Sequence, residues 1–384
     1  MRIGIVTFHF SNNFGAALQA YALRRWLTEA GYCADLINYS PSHVEHGGDI
    51  RFSVSRRAIL SNLKVIYLKQ AHLRTQLFGN RRQRHLFERF RRENLGISGQ
   101  KYTKLSELEL IGDNYDLLIC GSDQIWSPSV QYGLDPAYFL KFGKVPRRIS
   151  YAASFGSADY ETLTTCDIRK LLDGLDEISI REDSGVDLVR MISGVKGTKV
   201  VDPTALLPSY QHLIDSAESV DDEGHLFCYA LRTDAGVREI SQFVSSKLGL
   251  EVVAPRNPHS RWRAIGSTRH PGPNEWLALI ARSSFVVTNS FHGTLFSLLL
   301  KKPFLVAAIP GKKVGLNDRM ESLLKSVGLH ERLVYDVNKG AISGLLEIPI
   351  DWESAFEKLS RQIGHSERFL IRQIELAATP KSIA

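Results

Sequence analysis

Residues 285–300 read F-V-V-T-N-S-F-H-G-T-L-F-S-L-L-L, and no other stretch narrows the choice of fold as much. The apolar, β-branched run Phe285–Thr288 predicts a strand buried on both faces, as parallel strands are. A polar turn follows, Asn289-Ser290-Phe291-His292-Gly293, and Leu295 to Leu300 then predicts a mostly buried helix. Strand, turn and helix in that order put the turn at the carboxyl end of a parallel strand, where open α/β sheets bind ligands. The turn's N–H groups and the dipole of the following helix favour an anion there. His292 is the one group in the turn that titrates near neutral pH. It is either a structural histidine at a helix start or a proton-transfer group, and its place at a strand end favours the second.

The same alternation recurs along the chain. Ile3–Val6 predicts a strand, Phe8–Gly15 a loop, Ala16–Ala30 a helix and Ala34–Tyr39 a second strand, with Asn13 and Gly15 in the strand-end turn and Gln19 one helical turn on. No G-x-G-x-x-G is present, so a dinucleotide is not indicated. Asp116–Cys120 predicts a strand ending in Gly121-Ser122-Asp123-Gln124-Ile125-Trp126, which offers a hydroxyl, a carboxylate and an amide after a glycine that permits close backbone approach. Further predicted strands end at Ser154, at Arg181 and at Asp202. One polar strand end is ordinary; a series of them predicts one crevice. A second alternation begins at His225. Pro255–Gly272 reads as loop, Ile309–Lys313 as a loop carrying Lys312 and Lys313, Asp318–Val327 as a helix with Arg319 in its first turn, and Trp352–Leu376 as a last helix. The expected organisation is α/β, with two Rossmann-like domains facing a cleft. The first covers residues 1–210 and contains a helical insertion at about 43–104, the second covers 224–345, and a helix within 350–384 packs back on the first.

Length agrees, since 384 residues exceed one ordinary core. No apolar run nears the roughly 20 residues of a membrane span, and the N-terminus reads as a strand and not as a signal peptide. Cys33, Cys120, Cys166 and Cys228 are scattered, with neither metal-ligand spacing nor a disulfide pattern, which predicts a cytoplasmic setting. Net charge is +7 and unevenly spread: residues 51–92 hold twelve Lys/Arg and one acid, so that segment is +11 and the rest of the chain −4. The segment reads as helices with a solvated basic face, or as a patch meeting anionic lipid with Lys/Arg beside a narrow apolar stripe. Nucleic acid is not expected, because no recognition motif accompanies the charge.

Five ordered segments together resemble the polysaccharide pyruvyl transferase family. They are Asn12-Asn13-Phe14-Gly15-Ala16-Ala17-Leu18-Gln19-Ala20-Tyr21-Ala22-Leu23, Gly121-Ser122-Asp123-Gln124-Ile125-Trp126, Ser179-Ile180-Arg181-Glu182-Asp183-Ser184-Gly185, Val201-Asp202-Pro203-Thr204 and Asn289-Ser290-Phe291-His292-Gly293. The resemblance implies the two-domain architecture of GT-B glycosyltransferases. It implies transfer of the enolpyruvyl carbons of phosphoenolpyruvate onto two hydroxyls of a sugar, giving a ketal and phosphate. The acceptor would be a polysaccharide or lipid-linked oligosaccharide precursor of an exopolysaccharide or cell-envelope glycan, met at the inner membrane face. His292 matches the family's histidine after the late strand; Phe291 stands where some relatives carry a basic residue.

The chemistry assigns expectations to residues. His292 and Asp123 are the proton-transfer candidates. Arg181, Ser290, Lys312, Lys313 and Arg319 are candidates for the donor's phosphate and carboxylate. Asn13, Gly15, Gln19, Gly121, Ser122, Gln124, Trp126 and Asp202 are candidates for holding the acceptor or shaping the site. No cofactor or metal is called for; Mg²⁺ accompanying the phosphate stays open. Each role has a structural counterpart: Asp123 as a cap, Arg181 paired with Asp202, Asn13 shaping its turn, Trp126 in packing. Two other functions fit the same pattern, a glycosyltransferase using a nucleotide sugar and a non-catalytic glycan-binding or assembly protein.

Overall fold

A computed structural model describes residues 1–46, 66, 69–70, 79–97, 99–156, 160–165, 167–218, 223–231, 235–257, 262–310 and 317–379. The chain divides into two compact units, Met1–Leu206 with Ser366–Ala384, and Leu207–His365.

The first unit is built on four parallel strands, β1 (Arg2–Val6), β2 (Cys33–Leu36), β3 (Leu117–Cys120) and β4 (Arg147–Ser150), in the order β2-β1-β3-β4. Two short strands, β5 (Ser179–Ile180) and β6 (Thr198–Lys199), pair with each other, and parallel bridges Ile149–Glu177 and Ala153–Ile180 lay β5 along the end of β4. Strand β3 is buried along its whole length, as its apolar run Leu117-Leu118-Ile119-Cys120 predicts for a sheet covered on both faces. The strand order reverses between β1 and β3, so a crevice lies at their carboxyl ends. The two strands approach closely there: a Cβ on Gly121 would stand 3.0 Å from the Thr7 side chain.

The helix Phe14–Glu29 leaves that crevice. Asn13 caps it by accepting from the Ala16 N–H at 3.1 Å, and a run of small and apolar residues, Ala16 to Leu23, is buried against the unit. Of the basic insertion, the helix Arg81–Asn94 is described, capped by Asn80, with Leu86, Phe87 and Phe90 buried. Phe87 meets Phe14 at 5.3 Å between ring centroids and Phe90 meets Tyr21 at 5.9 Å. The expected helix through Ile59, Leu60 and Leu63 lies outside the described residues.

The second unit has six parallel strands: β7 (Leu226–Tyr229), β8 (Val252–Pro255), β9 (Ser267–Arg269), β10 (Phe285–Thr288), β11 (Phe304–Ala307) and β12 (Leu333–Val334). Their order, β12-β11-β10-β7-β8-β9, is that of a doubly wound sheet, with the reversal between β7 and β10. Strands β7, β8, β10 and β11 are buried throughout. Strand β9 corrects the expected loop at 255–272. It is a polar, mostly exposed edge strand, and nothing in Ser-Thr-Arg marks it by hydrophobic pattern. Strand β12 and a helix at Lys339–Glu347, capped by Asn338, also escape the sequence pattern.

The last helix, Trp352–Ala378, is shared out at His365/Ser366. Its first part buries Ala355 and Leu359. In the first unit, the Ser366 hydroxyl accepts from the Val201 N–H at 2.9 Å, Trp26 Nε1 donates to Glu367 at 3.3 Å and Arg147 Nε donates to Gln373 at 3.1 Å. Among the described residues, no helix is long and apolar enough to cross a membrane.

Candidate active site

In the first unit, the carboxyl ends of the strands are held by a buried ionic network. Asp202 sits just after β6. One of its oxygens accepts from Arg181 Nη1 at 2.6 Å and from the Ser122 hydroxyl at 2.9 Å. The other accepts from the Thr204 N–H at 3.0 Å and the Thr204 hydroxyl at 2.7 Å. Arg181, which ends β5, is 5% exposed, and its Nε lies 3.8 Å from Glu182. Burial pulls its pKa down, but the charges of Asp202, Glu182 and Asp123 more than offset this and leave it raised. Arg181 is therefore a fixed cation, and removing one member of so buried a pair costs about 3–5 kcal/mol.

The network continues into the crevice between β1 and β3. The Thr7 hydroxyl donates to the Ser122 carbonyl at 2.8 Å and accepts from Gln19 Nε2 at 2.9 Å. Gln19 Nε2 also reaches the Phe8 and Ala16 carbonyls. Gln19, Ser122, Arg181 and Asp202 thus form one continuous framework, with Gly121 allowing the strands to close on it. Asp123 lies at its edge, partly exposed, with a positive φ of 78° that few side chains adopt. Its carboxylate accepts from the Gln124 N–H at 2.8 Å and its carbonyl from the Ser154 N–H at 3.1 Å. Backbone strain of this kind concentrates at functional sites.

The remaining candidates in this unit are structural in their contacts. Asn13 caps its helix and Gly15 lies buried in the first turn. Trp126 is fully buried, stacked on Phe139 at 5.2 Å with Nε1 donating to the Tyr138 carbonyl at 2.9 Å, so it is a core residue and offers no sugar platform. Gln124 stays partly exposed beside Gly156.

In the second unit, the strand ends at the reversal between β7 and β10 are tied by neutral groups. The Thr288 hydroxyl donates to the Tyr229 carbonyl at 2.7 Å and accepts from the Ser290 N–H at 3.1 Å. Asn289 Oδ1 accepts from the Leu231 N–H at 2.8 Å. Ser290 caps the helix Phe291–Leu299, its hydroxyl accepting from the Gly293 N–H at 3.3 Å. Gly293 permits this tight turn, since a Cβ there would stand 2.5 Å from the Thr288 hydroxyl oxygen. His292 is in the first turn of that helix, 8% exposed and edge-on to the Phe291 ring at 5.3 Å. Arg319, also 8% exposed, opens the helix Asp318–Val327. Just before it, Asn317 bonds both the N–H (2.8 Å) and the carbonyl (3.0 Å) of Ile309. Lys312 and Lys313 lie outside the described residues.

Each unit therefore collects its own candidates: Gln19, Gly121, Ser122, Asp123, Arg181 and Asp202 in the first, Ser290 and His292 in the second. Thr7 and Asn317 were not visible as site residues. Thr7 has only the weak signal of a polar residue ending an apolar strand. A third unflagged group is His9, buried and flanked in sequence by Phe8 and Phe10. Its Nδ1 lies 3.0 Å from the Thr7 carbonyl and its Nε2 3.3 Å from Asn38 Oδ1. Burial lowers its pKa below the ordinary histidine value despite these bonds. Among the described residues, no group of three or more His, Cys, Asp or Glu is placed to hold a metal ion.

One family model, described as polysaccharide pyruvyl transferase, matches residues 13–309. All five segments quoted above fall within or at the edge of that span. Similar solved structures include the UDP-GlcNAc 2-epimerase of Neisseria meningitidis bound to UDP-GlcNAc, at 12% identity and TM-score 0.52 over 97% of this chain and 99% of that one. The UDP-N-acetylglucosamine 2-epimerase of Rickettsia bellii matches at 9% identity and TM-score 0.52, over 100% and 98% of the two chains. Staphylococcus aureus MnaA with UDP matches at 13% identity and TM-score 0.50, over 99% of each. At these identities the likeness establishes the fold alone, a GT-B-like pair of Rossmann units. No curated protein matches the chain in sequence.

Proposed function

Since the chain belongs to the polysaccharide pyruvyl transferase family, a family of transferases, we propose that it moves the enolpyruvyl group of phosphoenolpyruvate onto two hydroxyls of one sugar. The acceptor is a cytoplasmic precursor of a polysaccharide, carried as a lipid-linked oligosaccharide. The supporting observation is that three of the family's five segments follow β1, β3 and β10, strands that flank the order reversal of their unit, where this fold keeps its ligands, while the other two follow β5 and β6 and supply Arg181 and Asp202, which bond to Ser122 after β3.

The chemistry is balanced without a redox partner. A first sugar hydroxyl adds to C2 of the donor while the methylene carbon takes up a proton and becomes methyl. A second hydroxyl then forms its bond to C2 as the C–O bond to phosphate breaks, and phosphate leaves with the second hydroxyl's proton. One group must give a proton and one must accept one. In this reading His292 gives and takes protons at the donor, and the partly exposed carboxylate of Asp123 accepts from the acceptor hydroxyl. The donor's anionic groups meet the first turn of the Phe291–Leu299 helix and the Ser290 hydroxyl, with Lys312, Lys313 and Arg319 supplying positive charge. Arg181 acts through Asp202 and Ser122, fixing the crevice in which Asp123 sits, while Asn13, Gly15, Gln19, Gly121 and Gln124 shape the acceptor side. This reading assigns no step to a metal or cofactor, and Mg²⁺ accompanying the phosphate is compatible with it.

The test is release of phosphate from phosphoenolpyruvate that depends on a glycan acceptor, with the ketal product identified by mass spectrometry. Phosphate release without acceptor, or tight uridine diphosphate binding with no response to phosphoenolpyruvate, overturns the reading, the latter in favour of a nucleotide-sugar glycosyltransferase. Glycan binding with no turnover would instead mark a non-catalytic binding protein.

A further inference from the structure

The segment that delivers Asp202 to the first unit's crevice is a strand end with a partner on one side. The N–H groups of Thr198 and Val200 donate to the Ile178 and Ile180 carbonyls, both at 2.9 Å. Successive N–H groups of an extended strand point to opposite sides, so the Val201 N–H faces away from β5. Among the described residues no strand lies there, because β6 pairs with β5 alone. The Ser366 hydroxyl stands in for the missing strand and accepts from the Val201 N–H at 2.9 Å. Ser366 is fully buried and begins the part of the last helix that belongs to the first unit. Tyr151, fully buried just after β4, lies beside the same serine: burial and then the charge of Asp202 push its pKa well above the ordinary value, and Ser366 opposes this. Phe369, one helical turn after Ser366, packs on the Tyr151 ring at 6.5 Å between centroids.

We propose that Ser366 is a positioning residue for the crevice of the first unit. By fixing the Val201 N–H it sets where the adjacent Asp202 carboxylate stands, and through Asp202 it sets Arg181, Ser122 and the loop that carries Asp123. The inference deepens the functional reading above, and its kinetic consequence rests on that reading. One oxygen of Asp202 serves Arg181 and Ser122 and the other serves Thr204. A shift of its main chain is therefore passed to all three, as in any buried polar network whose members share partners. A site is held in its working geometry by such supporting bonds, not by the reacting groups alone. Ser366 lies beyond the matched residues 13–309, so this anchor is not one of the family's five segments. The same helix makes two other ties to the unit, Glu367 with Trp26 and Gln373 with Arg147. These end on the Phe14–Glu29 helix and at the start of β4, not on the Asp202 segment, and so allow positioning to be separated from simple docking of the helix.

The experiment compares Ser366→Ala with Gln373→Ala in the full chain. Amide hydrogen exchange read by mass spectrometry reports on the Asp202 segment without any turnover. In Ser366→Ala the amides of Val201 and Thr204 should exchange faster by about 10-fold or more. The first loses its acceptor, and the second depends on the Asp202 carboxylate. In Gln373→Ala both amides should keep the parent rates. A kinetic arm measures acceptor-dependent phosphate release from phosphoenolpyruvate. Ser366→Ala should raise the acceptor KM about 10-fold and leave the KM for phosphoenolpyruvate unchanged, a split that general loss of structure does not produce; Gln373→Ala should move neither. Parent exchange rates in Ser366→Ala, equal acceleration in both variants, or faster exchange with an unchanged acceptor KM each overturn the proposal. Absence of turnover in the parent chain, with the exchange result as expected, overturns the transferase reading and leaves Ser366 as the anchor of Asp202. Normal parent turnover with unmoved exchange in Ser366→Ala does the reverse.

Discussion

The two units solve the same problem with different chemistry. Each must lock polar loops at the carboxyl ends of parallel strands where the strand order reverses. The first unit uses charge: Arg181, Asp202 and Glu182 are buried together, with Ser122, Thr7 and Gln19 extending the framework. The second uses short neutral side chains, Thr288, Asn289 and Ser290, with Gly293 providing room. Buried charge is costly to desolvate but severe when broken; neutral caps are individually weak and separable. The contrast predicts that the first unit tolerates substitution at its strand ends poorly and that the second allows His292 to be changed with little structural damage.

The largest effect tests the charged framework. Arg181→Met or Asp202→Leu alone should cost about 3–5 kcal/mol by urea unfolding, while the pair together recovers a substantial part. A single-variant cost under about 1 kcal/mol would erase the contrast between the units. Next, His292→Gln should lower acceptor-dependent turnover about 100-fold or more with an unchanged urea midpoint; a midpoint that falls along with activity would make His292 a structural residue. Gly293→Ala introduces a Cβ 2.5 Å from the Thr288 hydroxyl oxygen and should destabilise by about 1–3 kcal/mol, measurable by the same unfolding. Ser290→Ala should cost about 1 kcal/mol and Ser290→Gly only a few tenths. If Ser290→Ala matched Arg181→Met, neutral caps and buried charge would be equivalent here.

The smallest effect is a pH dependence. Desolvation holds the pKa of His9 in the folded chain below its unfolded value near 6.5, so below that pH the unfolded chain binds the extra proton. This contribution to stability is whole above about pH 6.5 and declines as pH falls through that value toward the folded pKa. His9→Gln should flatten stability between pH 7 and pH 5 relative to the parent chain; identical profiles would show that His9 is not the source.

Much of this fold was legible because parallel strands announce themselves. Phe285–Thr288 and Asp318–Val327 were read at their structural boundaries, since a buried β-branched run and a capped amphipathic run have few other uses. Strand β9 was not legible, because an exposed edge strand needs no apolar pattern. The site was legible as a set of polar strand ends but not as a network. That Arg181 pairs with Asp202 was one of two readings open from the sequence, and only the geometry shows the 2.6 Å contact. Thr7 and His9 escape the sequence pattern because each bonds one main-chain carbonyl, of Ser122 and of Thr7, and one side-chain amide, of Gln19 and of Asn38, and nothing in the residue string pairs them. The stripe on the Arg81–Asn94 helix was correctly seen as apolar, yet its target, the rings of Phe14 and Tyr21, lies about seventy residues earlier in the chain.

Each unit also encloses one fully buried indole: Trp126 stacks on Phe139 in the first, and Trp276 sits edge-on to Tyr229 and Phe296 in the second. Two variants, each keeping one of these indoles and carrying phenylalanine at the other four tryptophan positions, turn its emission into an optical gauge of its own half. Whether the two halves melt together or apart is then read by comparing the melting curves of the two variants.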